Sequence, residues 1–147
     1  MSQLQARLEG DLVAARKAQD KSAVLLLGTV LSEIKNRRIE LQRQPTDEDV
    51  VEVIQRGIKK RRESIEMYSK GAREDLAAKE RSEVEALQNY LPEQVGDDEI
   101  RSAVRAAIAG GATQMGAVMG KVAPGFKGRA EGSRINAIAR EELAKQG

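Results

Sequence analysis

The sequence predicts an all-α protein with an N-terminal four-helix domain followed by a small C-terminal three-helix domain. Apolar residues recur at the helical period through most of the 147 residues. No stretch alternates apolar and polar residues with the β-branched enrichment that is typical of strands. The run PEQVGD, residues 92–97, has the proline, glycine and polar character of a domain boundary. We therefore place the N-terminal helical domain at residues 1–92 and the C-terminal domain at residues 93–147.

Composition limits the chemistry that the chain can perform. The absence of cysteine excludes a disulfide framework and thiolate metal sites, and the absence of histidine removes the commonest general base at neutral pH. The N-terminus has no apolar signal core, and the longest uncharged stretch, residues 106–120, is shorter than the ~20 apolar residues of a membrane helix. We expect a soluble cytoplasmic protein that has no metal, no cofactor and no contact with a membrane.

Two helices are predicted before Pro45. The first carries an apolar stripe at Leu4, Leu8, Leu12 and Ala15. The second follows Asp20, a plausible helix cap, and its apolar positions keep the helical period. Because Leu25 and Leu26 widen this stripe, we expect the second helix to be buried on more than one side.

Two further helices complete the predicted N-terminal domain. Thr46 and Asp49 have the spacing of a capping box and predict the start of the third helix. The fourth runs from Arg73 to about Asn89. Four consecutive cations, Lys59–Arg62, lie in the middle of the third helix. They form either a solvated surface, since helical geometry spreads them round ~300° of the cylinder, or a contact for an anionic partner.

The C-terminal domain is organised around a glycine-rich loop between two short helices. A fifth helix is capped by Asp97 or Asp98, and a sixth begins at Met115. Pro124 and Gly125 stop the sixth helix, and Ser133 is placed to cap the last one. This arrangement predicts helix, loop and helix over residues 115–143.

Positive charge is concentrated in the part of the C-terminal domain that contains this loop. Residues 110–147 contain six of the 25 basic side chains but only three of the 23 acidic ones. Lysine and arginine beside the exposed N–H groups of a helix start suit a phosphate, and glycine permits close approach of a backbone. Alternatively, the loop is a simple connector, in which Gly116 and Gly120 only allow close packing between helices. Because the chain contains only three aromatic residues, stacking on unpaired bases is not expected. The protein would then recognise a nucleic acid by the phosphate backbone and the shape of that nucleic acid.

Three ordered runs resemble the GatB/YqeY family. They are SIEMYSKGAREDLAAKERSEVEALQNYLPEQ, QMGAVMGKVAPGFKGRAEG and INAIAREEL, and the similarity extends over essentially the full chain. Because the large catalytic body of an amidotransferase B subunit is lacking, the chain resembles the free-standing members of the family. The resemblance implies a two-domain helical fold. It also implies kinship with the tail of tRNA-dependent amidotransferases, which convert Glu-tRNA or Asp-tRNA to the amide form and use that tail to hold tRNA.

The resemblance and the charge pattern together suggest a non-catalytic module that binds tRNA or another structured RNA. The candidate RNA-binding residues are Lys121, Lys127, Gly128, Arg129 and Arg134. An adaptor for an amidotransferase or an aminoacyl-tRNA synthetase is the alternative, using either Lys59–Arg62 or the acids Asp97–Glu99. The family-level label of carbon–nitrogen ligation with glutamine as amido-N-donor finds no support in the residues, because the sequence contains neither a serine in a glycine elbow nor a P-loop. No catalytic residue is assigned.

Overall fold

The computed structural model describes residues 1–146. Within this range the chain forms seven α-helices and one 3-10 helix, without strands, which confirms the all-α prediction. The helices are α1 (Gln3–Lys17), α2 (Lys21–Leu41), α3 (Asp47–Lys70), α4 (Glu74–Gln88), α5 (Asp97–Ala109), α6 (Met115–Val122) and α7 (Gly132–Ala144), and the 3-10 helix is Ala123–Phe126. None of the described helices combines the length and the apolar character needed to cross a membrane.

The chain divides into two compact units, the first ending at Leu91 and the second beginning at Pro92. The first unit contains α1 to α4, and the second contains α5 to α7. Independent folding of the predicted domains, 1–92 and 93–147, is a separate property and stays a prediction.

Aliphatic side chains from all four helices form the core of the first unit. Its most deeply buried members are Leu8, Val30, Ile34, Val50, Ile54 and Leu87. The predicted burial of Leu25 is wrong, because its side chain is 70% exposed. Successive residues of a helix lie ~100° apart, and the core contact of α2 follows Leu26, Leu27 and Val30, which leaves Leu25 facing solvent.

Local capping fixes the starts of α2 and α3, as predicted. Asp20 Oδ1 accepts a hydrogen bond of 3.1 Å from the Ala23 N–H. At α3 the capping box is complete: Asp49 N donates to Thr46 Oγ1 at 3.3 Å, and Thr46 N donates to Asp49 Oδ2 at 2.8 Å. The Arg43 guanidinium also binds Asp49 and, with these hydrogen bonds, holds the pKa of that carboxyl well below its ordinary value.

The basic run Lys59–Arg62 is not one uniform surface. Arg61 is half-buried, its Nε donates to Glu83 Oε2 of α4 at 2.9 Å, and its Nη1 donates to the Gly57 carbonyl at 3.0 Å. Lys59 and Lys60 are exposed. Arg61 therefore joins α3 to α4.

The second unit has its own aliphatic core, drawn from α5, α6, the 3-10 helix and α7. Its buried members include Val95, Ile100, Val104, Val118, Phe126, Ile135, Ile138 and Ala139. Two predicted caps are wrong. Gly96, rather than Asp97 or Asp98, is the N-cap of α5, and Glu131, rather than Ser133, is the N-cap of α7. The Glu131 carbonyl already accepts the N–H of Ile135 at 3.1 Å, so Ser133 lies inside the first turn.

Candidate nucleic-acid interface

The loop between α6 and α7 is a turn closed by its own backbone. Phe126 is 7% exposed, and its carbonyl accepts hydrogen bonds from Arg129 N at 2.8 Å and Ala130 N at 3.0 Å. Gly128 lies within this turn with a φ of +79°, in the left-handed region that favours glycine. The buried ring and the turn together fix the path of the chain around Lys127 and Arg129.

The segment 92–97 binds to this loop, which the sequence did not indicate. Val95 is buried, and its N–H donates to the Arg129 carbonyl at 3.0 Å. Gln94 Nε2 donates to the Gly128 carbonyl at 2.9 Å. The run PEQVGD is therefore an anchored part of the second unit, and its polar residues position the glycine-rich turn.

Arg134 fastens the start of α7 to the start of α5. Its Nε donates to Asp97 Oδ1 at 2.6 Å, and its Nη2 donates to the Val95 carbonyl. The guanidinium is thus engaged within the protein, on an internal carboxylate and an internal carbonyl. Although Arg134 belongs to the predicted binding set, its contacts are those of a positioning residue.

The remaining predicted cations point outward. Lys121 and Lys127 are exposed. The side chain of Arg129 is 42% exposed, with Cζ 6.0 Å from the Phe126 ring centroid and Nη2 3.7 Å from Glu99 Oε1. Since an ion pair that is long and solvent-exposed contributes little stability, Arg129 can exchange Glu99 for another anion at small cost.

The outer surface of α6 is formed by small residues and one lysine. Gly116, Ala117, Gly120 and Lys121 are all exposed. A Cβ atom added at Gly116 or Gly120 meets no heavy atom within 4 Å, and the same holds at Gly125 and Gly132. The alternative that Gly116 and Gly120 serve close packing between the helices of this chain is therefore wrong for the described residues.

A second charged cluster, which sequence reasoning missed, surrounds a buried acid on α7. Glu142 is 3% exposed. Its Oε1 forms ion pairs with Arg101 Nη1 at 2.8 Å, Arg105 Nη2 at 3.2 Å and Lys145 Nζ at 3.1 Å. The Arg101 and then the Arg105 guanidinium lower the pKa of Glu142 to about 2. These cations neutralise an internal carboxylate, which assigns them to the fold of the second unit.

The sequence does contain a signal for this cluster. Glu142 follows Ile135, Ile138 and Ala139 at the i, i+3, i+4 and i+7 positions of the apolar stripe of α7. An acid on a buried stripe requires cationic partners. That position indicates a buried ion pair, although it does not identify Arg101 as the partner.

Comparison with known proteins identifies relatives over most of the chain. The Yqey-like protein family matches residues 5–143. "Altered inheritance of mitochondria protein 41, mitochondrial" of Pyrenophora tritici-repentis is 36% identical over 129 residues, which cover 84% of this chain and 71% of that protein. An uncharacterized protein of Schizosaccharomyces pombe is 38% identical over 90 residues, or 61% of this chain and 73% of that protein. A Kluyveromyces lactis protein with the same name as the Pyrenophora relative is 38% identical over 86 residues, or 58% of this chain and 46% of the relative.

The comparison with these relatives contradicts the predicted cytoplasmic location. The names of the Pyrenophora and Kluyveromyces proteins assign them to mitochondria. The inference failed because a missing apolar core argues only against a secretory signal, whereas mitochondrial targeting segments are amphipathic and rich in arginine.

The family match extends from α1 to α7 and thus includes helices of both units. The alignment with the Pyrenophora protein covers 84% of this chain. The resemblance seen in the sequence is confirmed, and the chain belongs to the Yqey-like protein family.

Proposed function

We propose that this chain is a non-catalytic module that binds structured RNA, with tRNA as the candidate target, through the α6–α7 loop. One observation carries the proposal: Lys121 and Lys127 are exposed, and Arg129 is partly exposed, around a glycine-rich turn that is itself fixed by hydrogen bonds. A fixed turn presents its cations without a large ordering cost when an anion binds. Phosphate groups suit this surface better than a small apolar ligand.

The surroundings of the loop favour recognition of backbone and shape over recognition of bases. Phe126, the single phenylalanine of the chain, is buried, and both tyrosines belong to the first unit. Within the second unit, over residues 92–146, no exposed aromatic side chain is therefore present for base stacking. The open glycines of α6 allow a sugar-phosphate backbone to approach the helix closely.

The five candidate residues have two different roles in this proposal. Lys121, Lys127 and Arg129 contact phosphates. Gly128 provides the positive φ of the turn, and Arg134 holds the start of α7 against Asp97. Loss of a contact residue weakens RNA binding directly, whereas loss of a positioning residue acts through the structure of the loop.

The proposal is tested by measuring tRNA affinity as a function of salt with fluorescence anisotropy. Replacing Lys127 and Arg129 together by alanine is expected to weaken binding and to lower the slope of log K against log salt by about 1.8, since each phosphate contact contributes ~0.9. The variant Lys59→Ala/Lys60→Ala removes the same charge from the exposed part of α3 and is the matched control. Unchanged affinity in the loop variant, or an equal loss in the control, would overturn the proposal.

An adaptor that contacts an amidotransferase or an aminoacyl-tRNA synthetase is the second candidate, with less support. Within the second unit Arg134 binds Asp97 and Arg129 lies near Glu99, which reduces the charge that the acidic surface can offer. Pull-down from an extract before and after nuclease treatment separates the two functions. A direct protein contact survives digestion, while a contact bridged by RNA is lost.

A further inference from the structure

The turn between α1 and α2 carries an apolar depression on the surface of the first unit. The depression has a volume of about 480 Å³ and is lined by Arg16, Gln19, Lys21, Val24 and Leu25. Leu25 is 70% exposed, and Val24 is half-buried. The long aliphatic side chain of Leu25, on α2, thus projects into solvent beside the depression.

The border of the depression is cationic. Arg16 and Lys21 line the depression, and Lys17 is next to Arg16 in the sequence. All three are exposed and form no ion pair within residues 1–146. Asp20 is the one acid in residues 16–25, and its carboxylate caps α2 through Ala23 N. Lys21 lies in the first turn of α2, where the helix dipole disfavours a cation and where the helix has no acid. The one anion in residues 16–25 is therefore engaged in capping α2.

We propose that this surface, the α1–α2 patch formed by Arg16, Lys17, Lys21, Val24 and Leu25, docks an acidic amphipathic helix of a partner protein. Val24 and Leu25 receive an aliphatic or aromatic side chain of that helix, and the three cations pair with carboxylates along its flanks. An apolar centre with a charged border is the pattern of a helix-in-groove contact. A lipid surface is less suitable, because the depression is concave and only one large apolar side chain projects from it.

This proposal goes beyond RNA binding and is independent of it. The patch lies in the first unit, between α1 and α2, whereas the candidate RNA-binding residues lie in the second unit. A change in the patch is expected to leave tRNA affinity unchanged. Failure of either proposal therefore leaves the other intact.

The test uses a fluorescein-labelled peptide of about 18 residues with leucines along one helical face and glutamates beside them. Its anisotropy is measured with the full chain. Leu25→Asp is expected to weaken binding by about tenfold or more, since it removes the apolar anchor. Ile39→Asp is the matched control, because Ile39 is 65% exposed on the same helix, about 20 Å further along. Circular dichroism verifies that both variants keep their helices.

Charge reversal sharpens the test. The variant Arg16→Glu/Lys21→Glu is expected to lose the acidic peptide and to bind a peptide in which lysines replace the glutamates. Absence of binding to the acidic peptide, equal binding of a scrambled peptide, or full affinity in Leu25→Asp would each overturn the proposal. Binding of the unmodified chain to anionic phospholipid vesicles, lost in Leu25→Asp, would also overturn it by assigning the patch to a lipid surface.

Discussion

Arg134 and Lys127 carry the same charge in one loop but have different surroundings. Arg134 donates to Asp97 and to the Val95 carbonyl and is partly buried, while Lys127 is exposed. The sequence analysis predicted both as RNA-binding residues, because both are cations in the same charged segment. Asp97, the partner of Arg134, lies 37 positions earlier in the chain, which no local pattern reveals.

Replacing Arg134 by alanine is expected to lower the free energy of unfolding of the second unit by about 1–2 kcal/mol, since charge-assisted hydrogen bonds at a half-exposed site are lost. Replacing Lys121 by alanine is expected to change that free energy by less than about 0.5 kcal/mol. Urea unfolding followed by circular dichroism measures both. Equal stability of the two variants would contradict the positioning role of Arg134.

Glu142 gives the second unit a pH dependence whose direction is fixed by its pKa. The folded protein lowers the pKa of Glu142 from 4.5 to about 2, so the ionised carboxylate stabilises the fold above pH 4.5. This stability is lost as the pH falls from about 4.5 to about 2. We expect Glu142→Gln to lower Tm at neutral pH and the difference from the unmodified protein to shrink over that acidic range.

Glu141→Gln is the control for this measurement. Glu141 also binds Arg101, at 3.0 Å, but its side chain is 60% exposed. Its removal is expected to have a smaller effect on Tm, because an exposed ion pair contributes little. A Tm difference for Glu142→Gln that stays constant down to pH 2 would exclude the assigned pKa shift.

At the level of elements, helix starts were predictable where the capping group is local. Thr46 and Asp49 are three residues apart and form the predicted capping box. The start of α7 was misplaced because it depends on distant contacts: Val95 binds the Arg129 carbonyl, and the chain enters the helix directly after this anchored turn. The α1–α2 patch was missed for a similar reason, since the periodic stripe does not show which side of α2 the other helices leave uncovered.

The open glycines of α6 lead to a prediction that separates stability from binding. Gly120→Ala is expected to stabilise the protein by about 0.5–1 kcal/mol, because alanine favours the helix and its Cβ meets no atom within 4 Å. We expect the same variant to weaken tRNA binding, since the methyl group holds the sugar-phosphate backbone away. Gly10→Ala, at an equally open position in α1, is expected to stabilise the protein without affecting RNA. If Gly120→Ala leaves the tRNA affinity unchanged, the exposed surface of α6 is not part of the RNA-binding interface.

At the level of the whole molecule, the two units divide the proposed roles. The second unit holds the α6–α7 loop with Lys121, Lys127 and Arg129, and the first holds the α1–α2 patch. Composition and periodicity sufficed to predict helices throughout. Family membership came from ordered motifs, whereas the pairing of residues 92–97 with the loop depends on tertiary contacts between segments about 35 residues apart.

The most direct test of RNA binding compares folded tRNA with a DNA duplex of equal charge, by anisotropy at low and near-physiological salt. The unmodified chain is expected to prefer tRNA, and Lys127→Ala/Arg129→Ala is expected to lose that preference. Equal, weak affinity of the unmodified chain for both nucleic acids would contradict shape recognition and would reduce the loop to a site of general positive charge.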